Sequence, residues 1–178
     1  VKRHRDVVAP TFVSDGGLVI RRTTGDDWSK LRAIRLEALI DTPDAYGSTY
    51  EGTLAQPNRR WRAMAQNDEY FLAEQEGVAV GMVLGGLNFQ RPGTHWLYAM
   101  YVTPSARGSA SASSLVEAVI DWAKNQGASE LYLHVTTSVD RARAFYRKMG
   151  FVETGERRAM DRNPRLELLT MRRSLVND

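Results

Sequence analysis

The stretch from Val102 to Leu115 holds the residues best suited to chemistry. Pro104 is followed by Arg107-Gly108-Ser109-Ala110-Ser111-Ala112, small side chains ahead of a helix-period pattern at Leu115, Val119, Trp122 and Ala123. An apolar strand-like run, Trp96 to Val102, leads into it. A strand, a small-residue turn and a helix in that order gather backbone N–H groups at the positive end of a helix, where a phosphate sits without meeting bulky side chains. The segment reads as a phosphate cradle. The chain has no cysteine, so a cysteine nucleophile, thiolate metal sites and disulfides are excluded.

The elements that must position these groups follow from periodicity. Leu18 to Arg22 reads as a first strand, and Trp28, Leu31, Ile34, Ala38 and Leu39 share one face of an amphipathic helix that ends before Pro43. The segment Asp41 to Gln56 has no clear period and holds Tyr46 and Tyr50, either as a cover over a ligand or as an anchored connector. Pro57 opens a second helix, Arg59 to Gln66, with Trp61 and Met64 inward. Strands at Glu69–Glu74 and Val78–Leu87 form a hairpin, and Gly81, Gly85 and Gly86 predict bulges or close backbone approach. Beyond the cradle, a third helix stops at Gly127, and Leu131, Leu133 and Val135 alternate as a strand. Ala142, Phe145, Tyr146 and Met149 then make a buried helical stripe, and a last strand pair runs from Phe151 through a Gly155 turn to Met160 and from Leu166 to Met171.

One domain accounts for 178 residues, here residues 17–178, with residues 1–16 read as a mobile tail. Lys plus Arg number 24 against 21 Asp plus Glu, a formal charge of +3, which gives no case for nucleic acid, and no apolar run is long enough to span a bilayer. A reducing, cytoplasmic location is the expectation. Arg157, Arg158, Arg162 and Arg165 read as a solvated face.

Two motifs carry a resemblance. Val102-x-Pro104-x-x-Arg107-Gly108-x-Ala110-x-Ala112 is similar to an acetyl-CoA pyrophosphate loop, and Leu133-x-Val135 followed by Ala142-x-x-Phe145-Tyr146-x-Lys148-x-Gly150-Phe151 is similar to a second CoA segment. In order and spacing the chain resembles the GCN5-related N-acetyltransferases. Arg35-Leu36-Glu37-Ala38-Leu39 and Pro43-Asp44-Ala45-Tyr46-Gly47 extend the likeness. The resemblance implies a single α/β (α+β) domain: a mixed, mostly antiparallel sheet, splayed between a fourth strand at Trp96–Val102 and a fifth at Leu131–Val135, flanked by about four helices.

It further implies acetyl-CoA as cosubstrate, with no metal. The pantetheine arm is expected on the backbone of Met100 and Val102, the pyrophosphate on Arg107, Gly108, Ser109, Ala110, Ser111 and Ala112, and the thioester end beside Ala142 and Tyr146. Tyr146 is the family's acid, and a backbone amide near Met100 polarises the carbonyl. The expected partner is a small-molecule primary amine, with no membrane and with a homodimer admissible.

Three positions depart from the pattern. Trp96 stands where many relatives have a glutamate base. Ala110 replaces a glycine, at little cost if its φ is negative but about 1–2 kcal/mol in the left-handed region. Val139 replaces an asparagine and loses a hydrogen bond worth about 0.5–1.5 kcal/mol. The base stays open among His95, His134, Glu37, Asp44, Glu51 and solvent. Two alternatives stand beside the small-amine enzyme: a CoA-binding module without turnover, and transfer to a protein N-terminus or lysine.

Overall fold

Apolar residues spaced for a sheet and its covering helices account for the architecture in the computed structural model, which describes residues 12–13 and 17–176. In chain order the elements are β1 (Phe12–Val13), β2 (Leu18–Arg22), α1 (Trp28–Asp41), α2 (Tyr50–Leu54), α3 (Asn58–Asn67), β3 (Glu69–Gln75), β4 (Val78–Leu87) and β5 (His95–Val102). After the turn at Pro104–Ala106 come α4 (Ser111–Asn125), β6 (Glu130–Thr136), α5 (Asp140–Lys148), β7 (Val152–Met160) and β8 (Asn163–Ser174). Of the tail expected over residues 1–16, Phe12 and Val13 pair antiparallel with Ile20 and Val19, and the rest lies outside the described residues. No helix among the described residues is long and apolar enough to cross a membrane.

The strands form one sheet in the order β1-β2-β3-β4-β5-β6-β8-β7. Every neighbouring pair is antiparallel except β5 and β6, which run parallel. That junction is short. His95, Trp96 and Leu97 pair with Leu131, Tyr132 and Leu133, and the ladder then stops although both strands continue. The expected splay is therefore present, between β5 and β6 once β1 is counted.

Each face of the sheet is covered by the helices that the periodicity predicts. Leu115, Val116, Val119, Ile120 and Ala123 of α4 and Tyr146 of α5 pack with Leu97, Val102, Leu133 and Leu169 on one side. Leu31, Ile34, Ala38 and Leu39 of α1 and Trp61 of α3 pack with Leu72, Met82 and Tyr101 on the other. The close approach expected of the β4 glycines is real at two positions. A Cβ on Gly81 would lie 2.9 Å from the Leu115 side chain, and one on Gly85 would lie 2.6 Å from the Trp122 ring. Bare backbone at these positions lets α4 settle on the sheet.

Three readings are corrected. The described residues hold five helices rather than about four, because Tyr50–Leu54 inside the aperiodic segment is helical, with the Thr49 hydroxyl accepting from the Gly52 N–H as an N-cap. Gly155, at φ +84°, is no chain reversal but lies in a stretch of β7 where the register against β8 shifts, between Glu153 and Arg157. The reversal comes after Met160. Arg162, read as part of a solvated face, instead donates to Tyr46 O at 3.2 Å and Pro43 O at 2.8 Å, clasping the α1–α2 connection.

Candidate active site

The site is built where β5 departs from β6. Tyr101 pairs with Met82 of β4, and the Thr103 N–H donates to Val80 O at 2.9 Å, so alternation turns the backbone N–H and C=O of Met100 and Val102 the other way, toward the opening. A bulge sits just ahead of them. The β4–β5 register slips by one residue between Met82↔Tyr101 and Leu84↔Tyr98, and Ala99 takes φ +53°. This extra residue reverses the alternation, so that Ala99 and Tyr101 pack toward α1 while Met100 and Val102 pack toward α4.

Side chains occupy the two carbonyls at this edge. Tyr46 Oη donates to Met100 O at 2.8 Å, and Arg107 Nε donates to Val102 O at 3.2 Å. Tyr46 is 7% exposed, with the Arg35 guanidinium 4.4 Å from its ring centroid, so it both anchors the α1–α2 connection and covers the opening. Arg107 is also ion-paired with Asp41 at the end of α1. Asp41 is therefore engaged, while Asp44 is mostly exposed and 3.9 Å from Arg162.

The cradle follows directly. Pro104–Ala106 forms a tight helical turn, Gly108 takes φ +81°, and Ala110 takes φ −69° and ψ −7° immediately before α4. The left-handed position is thus glycine, and Ala110 falls where alanine is unstrained. Within the turn, the N–H of Ser109 donates to Ala106 O at 3.3 Å and that of Ser111 to Ser109 Oγ at 3.2 Å. The N–H groups of Gly108, Ala110, Ala112 and Ser113 have no partner among the described residues, as the first turn of a helix leaves them. The serine hydroxyls are bonded within the turn: Ser109 Oγ donates to Ala106 O at 2.7 Å and lies 2.9 Å from Ser111 Oγ, and Ser113 Oγ donates to Ala110 O at 3.0 Å. They stitch the turn, so its anion-binding capacity rests on backbone.

Across the opening stands α5. Its first turn lacks a side-chain cap, because Val139 occupies the cap position, and Ala142 is half-buried against the α4-side core. Tyr146 is 7% exposed, its ring 5.3 Å from Phe145 and 5.8 Å from Phe151. Its hydroxyl has no hydrogen-bond partner among the described residues. Burial, with the neighbouring Tyr46 phenol, pushes the Tyr146 pKa up, so the proton stays on until strongly alkaline pH.

On the opposite face of the sheet, beside the last paired residues, lies a cleft of about 100 Å³. Trp96, His134 and Thr170 form its floor, and Arg91, Glu156, Arg157 and Arg158 its walls. Trp96 is fully buried, its Nε1 donating to Thr94 Oγ1 at 2.8 Å and its ring stacked 5.3 Å from Tyr132. His134 is tilted 4.6 Å from the Trp96 ring. Burial first, then Arg158 and Arg91, lower its pKa to about 4, so it is neutral near pH 7. His95 packs against Trp122 of α4, on the other face, as strand alternation predicts. Glu37 accepts from Tyr101 Oη at 3.2 Å. Sequence reasoning missed Arg91 as a cleft residue, and its long-range pairing with Glu156 at 2.6 Å leaves no local signature.

The sequence pattern of the Acetyltransferase (GNAT) family matches residues 32–151, the span that holds the bulge, the cradle and Tyr146. The chain belongs to the GNAT family. Over 91 residues it is 35% identical to N-acetyltransferase 8 of Homo sapiens, a match covering 49% of this chain and 40% of that protein. It thus spans about two fifths of the length of the curated relatives it matches. The structure is similar to a GNAT-family acetyltransferase from Streptococcus pneumoniae, with TM-score 0.74 at 22% identity over 88% of this chain and 98% of that one. It is also similar to yncA of Salmonella typhimurium, solved with its cofactor acetyl-CoA, with TM-score 0.74 at 18% identity over 90% and 95% of the two chains. At these identities the structural likeness carries the fold. Within that GNAT fold, the cradle, the open edge and the unpartnered phenol are this chain's own features, and they fit a ligand with an anionic end and an amide-bearing arm.

Proposed function

We propose that the chain is an acetyl-CoA-dependent N-acetyltransferase that serves the primary amine of a small molecule by direct attack in a ternary complex. The observation that carries this reading is the Tyr146 phenol, its ring packed into the α4-side core and its hydroxyl unpartnered among the described residues, beside a strand edge that ends in an anion cradle.

When bound, acetyl-CoA supplies an acetyl group activated on sulfur, which passes to the amine nitrogen as the carbon–sulfur bond breaks. The chain's residues do the rest. Backbone N–H groups of Gly108, Ala110, Ala112 and Ser113 hold the diphosphate at the positive end of α4. Met100 and Val102 pair with the amide arm as one strand pairs with another, displacing Tyr46 Oη and Arg107 Nε from carbonyls they otherwise satisfy. The Met100 N–H, fixed by the Ala99 bulge, donates to the carbonyl oxygen as negative charge builds there. Tyr146 gives its proton to the departing sulfur and is reprotonated from solvent, and the nitrogen releases its proton to water.

Trp96 is the observation behind the alternative, a CoA-binding module without turnover. Tyr146→Phe separates the two. In thiol-release assays with an amine panel, kcat is expected to fall by about a hundredfold, while calorimetry shows CoA affinity within about twofold, since the ring and its packing remain. Tight CoA binding with no turnover on any amine by the unaltered chain establishes the binding module instead.

A further inference from the structure

Resting on that reading, we propose that the acceptor is an amine bearing an anionic group, a carboxylate or a phosphonate, which docks in the cleft between the β4–β5 hairpin and β7. Two guanidinium groups, Arg91 and Arg158, face a space whose lining holds a single carboxylate, Glu156. Arg158 is paired outward, with Asp161 at 3.2 Å, a carboxylate that stands outside the cleft lining and almost fully in solvent. Each guanidinium has five N–H donors, so one ion pair leaves others for a ligand. The floor is uncharged, aromatic at Trp96 and imidazole at His134. An anion is the ligand that such a lining takes.

The position ties the cleft to the reaction. Trp96 and Tyr132 are the middle pair of the β5–β6 junction, and His134 is the first residue of β6 past its last pair at Leu133, on the face of Trp96. A group bound over His134 and Arg158 therefore lies at the threshold of the opening that Tyr146 faces from the other side. The one carboxylate in the cleft lining, Glu156, is engaged by Arg91.

The same charges bear on the missing base. The groups facing the cleft are Arg91 from the hairpin, His134 from β6, and Glu156 and Arg158 from β7, while the neighbouring Arg157 turns its guanidinium to Glu167 on the other face of the sheet. Their excess positive charge disfavours a second cation, lowering the pKa of a bound ammonium group. The nucleophile then reaches its neutral form by losing a proton to water. The direction agrees with the low His134 pKa, set by burial and then by Arg158 and Arg91.

Two measurements test this. Steady-state kinetics compare an L-amino acid and an aminoalkylphosphonate with the corresponding neutral amino amide. The anionic amines are expected to have kcat/KM higher by about ten- to a hundredfold, the range for hydrogen bonds to a charged group. Arg158→Gln is expected to cut that preference to below about threefold and to move the acidic limb of the pH profile upward, because the amine keeps its proton to higher pH. Equal turnover of acid and amide overturns the proposal while leaving the acetyltransferase reading intact, and whichever of carboxylate and phosphonate is faster identifies the source.

The second measurement needs no turnover. His134 imidazole signals, assigned with His134→Gln, are followed by NMR during titration with sodium sulfate and with sodium chloride at equal ionic strength. A saturable shift with sulfate alone, lost in Arg158→Gln, supports the anion site even if no amine is acetylated. No saturable shift, or the same shift with chloride, overturns it.

Discussion

Ala110 and Gly108 show how one dihedral angle settles a question of residue type. The family pattern has glycine where this chain has Ala110, yet φ there is −69°, and the left-handed position is two residues earlier at Gly108, with φ +81°. Ala110→Gly is therefore expected to leave CoA affinity within about twofold and to lower stability by at most about 1 kcal/mol through added chain entropy. Gly108→Ala is expected to cost about 1–2 kcal/mol, because alanine meets its own carbonyl oxygen in that conformation. Denaturant melts and CoA calorimetry on the pair check both, and tighter CoA binding by Ala110→Gly would refute this account of the loop. Tyr146 was legible from its helical stripe and motif. Tyr46 was marked as a cover or an anchor, but its partner Met100 was not legible, nor were Glu156 for Arg91 and Pro43 for Arg162, since these lie 54, 65 and 119 residues away along the chain.

At the scale of elements, α4 is aimed by the strand beneath it. Leu115 and Trp122, two helical turns apart on one face, rest over Gly81 and Gly85 of β4. The helix N-terminus, and with it the cradle, is held at a height set by the absence of two Cβ atoms. Gly85→Ala would place a Cβ 2.6 Å from the Trp122 ring, so the ring or the helix has to move. We expect a loss of about 1–3 kcal/mol from overpacking, read as a lower denaturation midpoint at unchanged m-value, together with weaker CoA binding. A variant as stable as the unaltered chain would show that α4 is seated by other contacts. The sequence marked these glycines as places of close approach but could not say what approaches. Gly155 read as a chain reversal in sequence and is instead part of a register irregularity in β7.

For the whole molecule, the weak seam is the β5–β6 junction. Three residue pairs join the β1–β5 part of the sheet to the β6–β8 part, against seven between β6 and β8. A ligand arm paired with Met100 and Val102 adds bonds at that seam. CoA at a hundred times its dissociation constant is expected to stabilise the fold by about 2.7 kcal/mol, or roughly 5–10 °C in Tm for a chain of this size. Differential scanning calorimetry across a CoA series checks this, and a Tm independent of CoA concentration would remove CoA as a ligand of the native state.

The sequence by itself determined what is local or periodic. Four of the five described helices followed from apolar spacing, the cradle from small residues between strand and helix, and Tyr146 from a stripe on one helical face, because each signal spans a few turns of chain. Tertiary structure alone decided what depends on distant strands meeting. The Ala99 bulge turns Met100 and Val102 toward the opening only because β4 holds the register on the other side. Trp96 and His134 become one floor only because β5 and β6 run parallel for three residues and then part. The charge of the cleft is a sum over β7 and a hairpin 65 residues before it, joined by Arg91 and Glu156. Local spacing cannot encode such sums, because the positions that contribute to them are neighbours only after the sheet has formed.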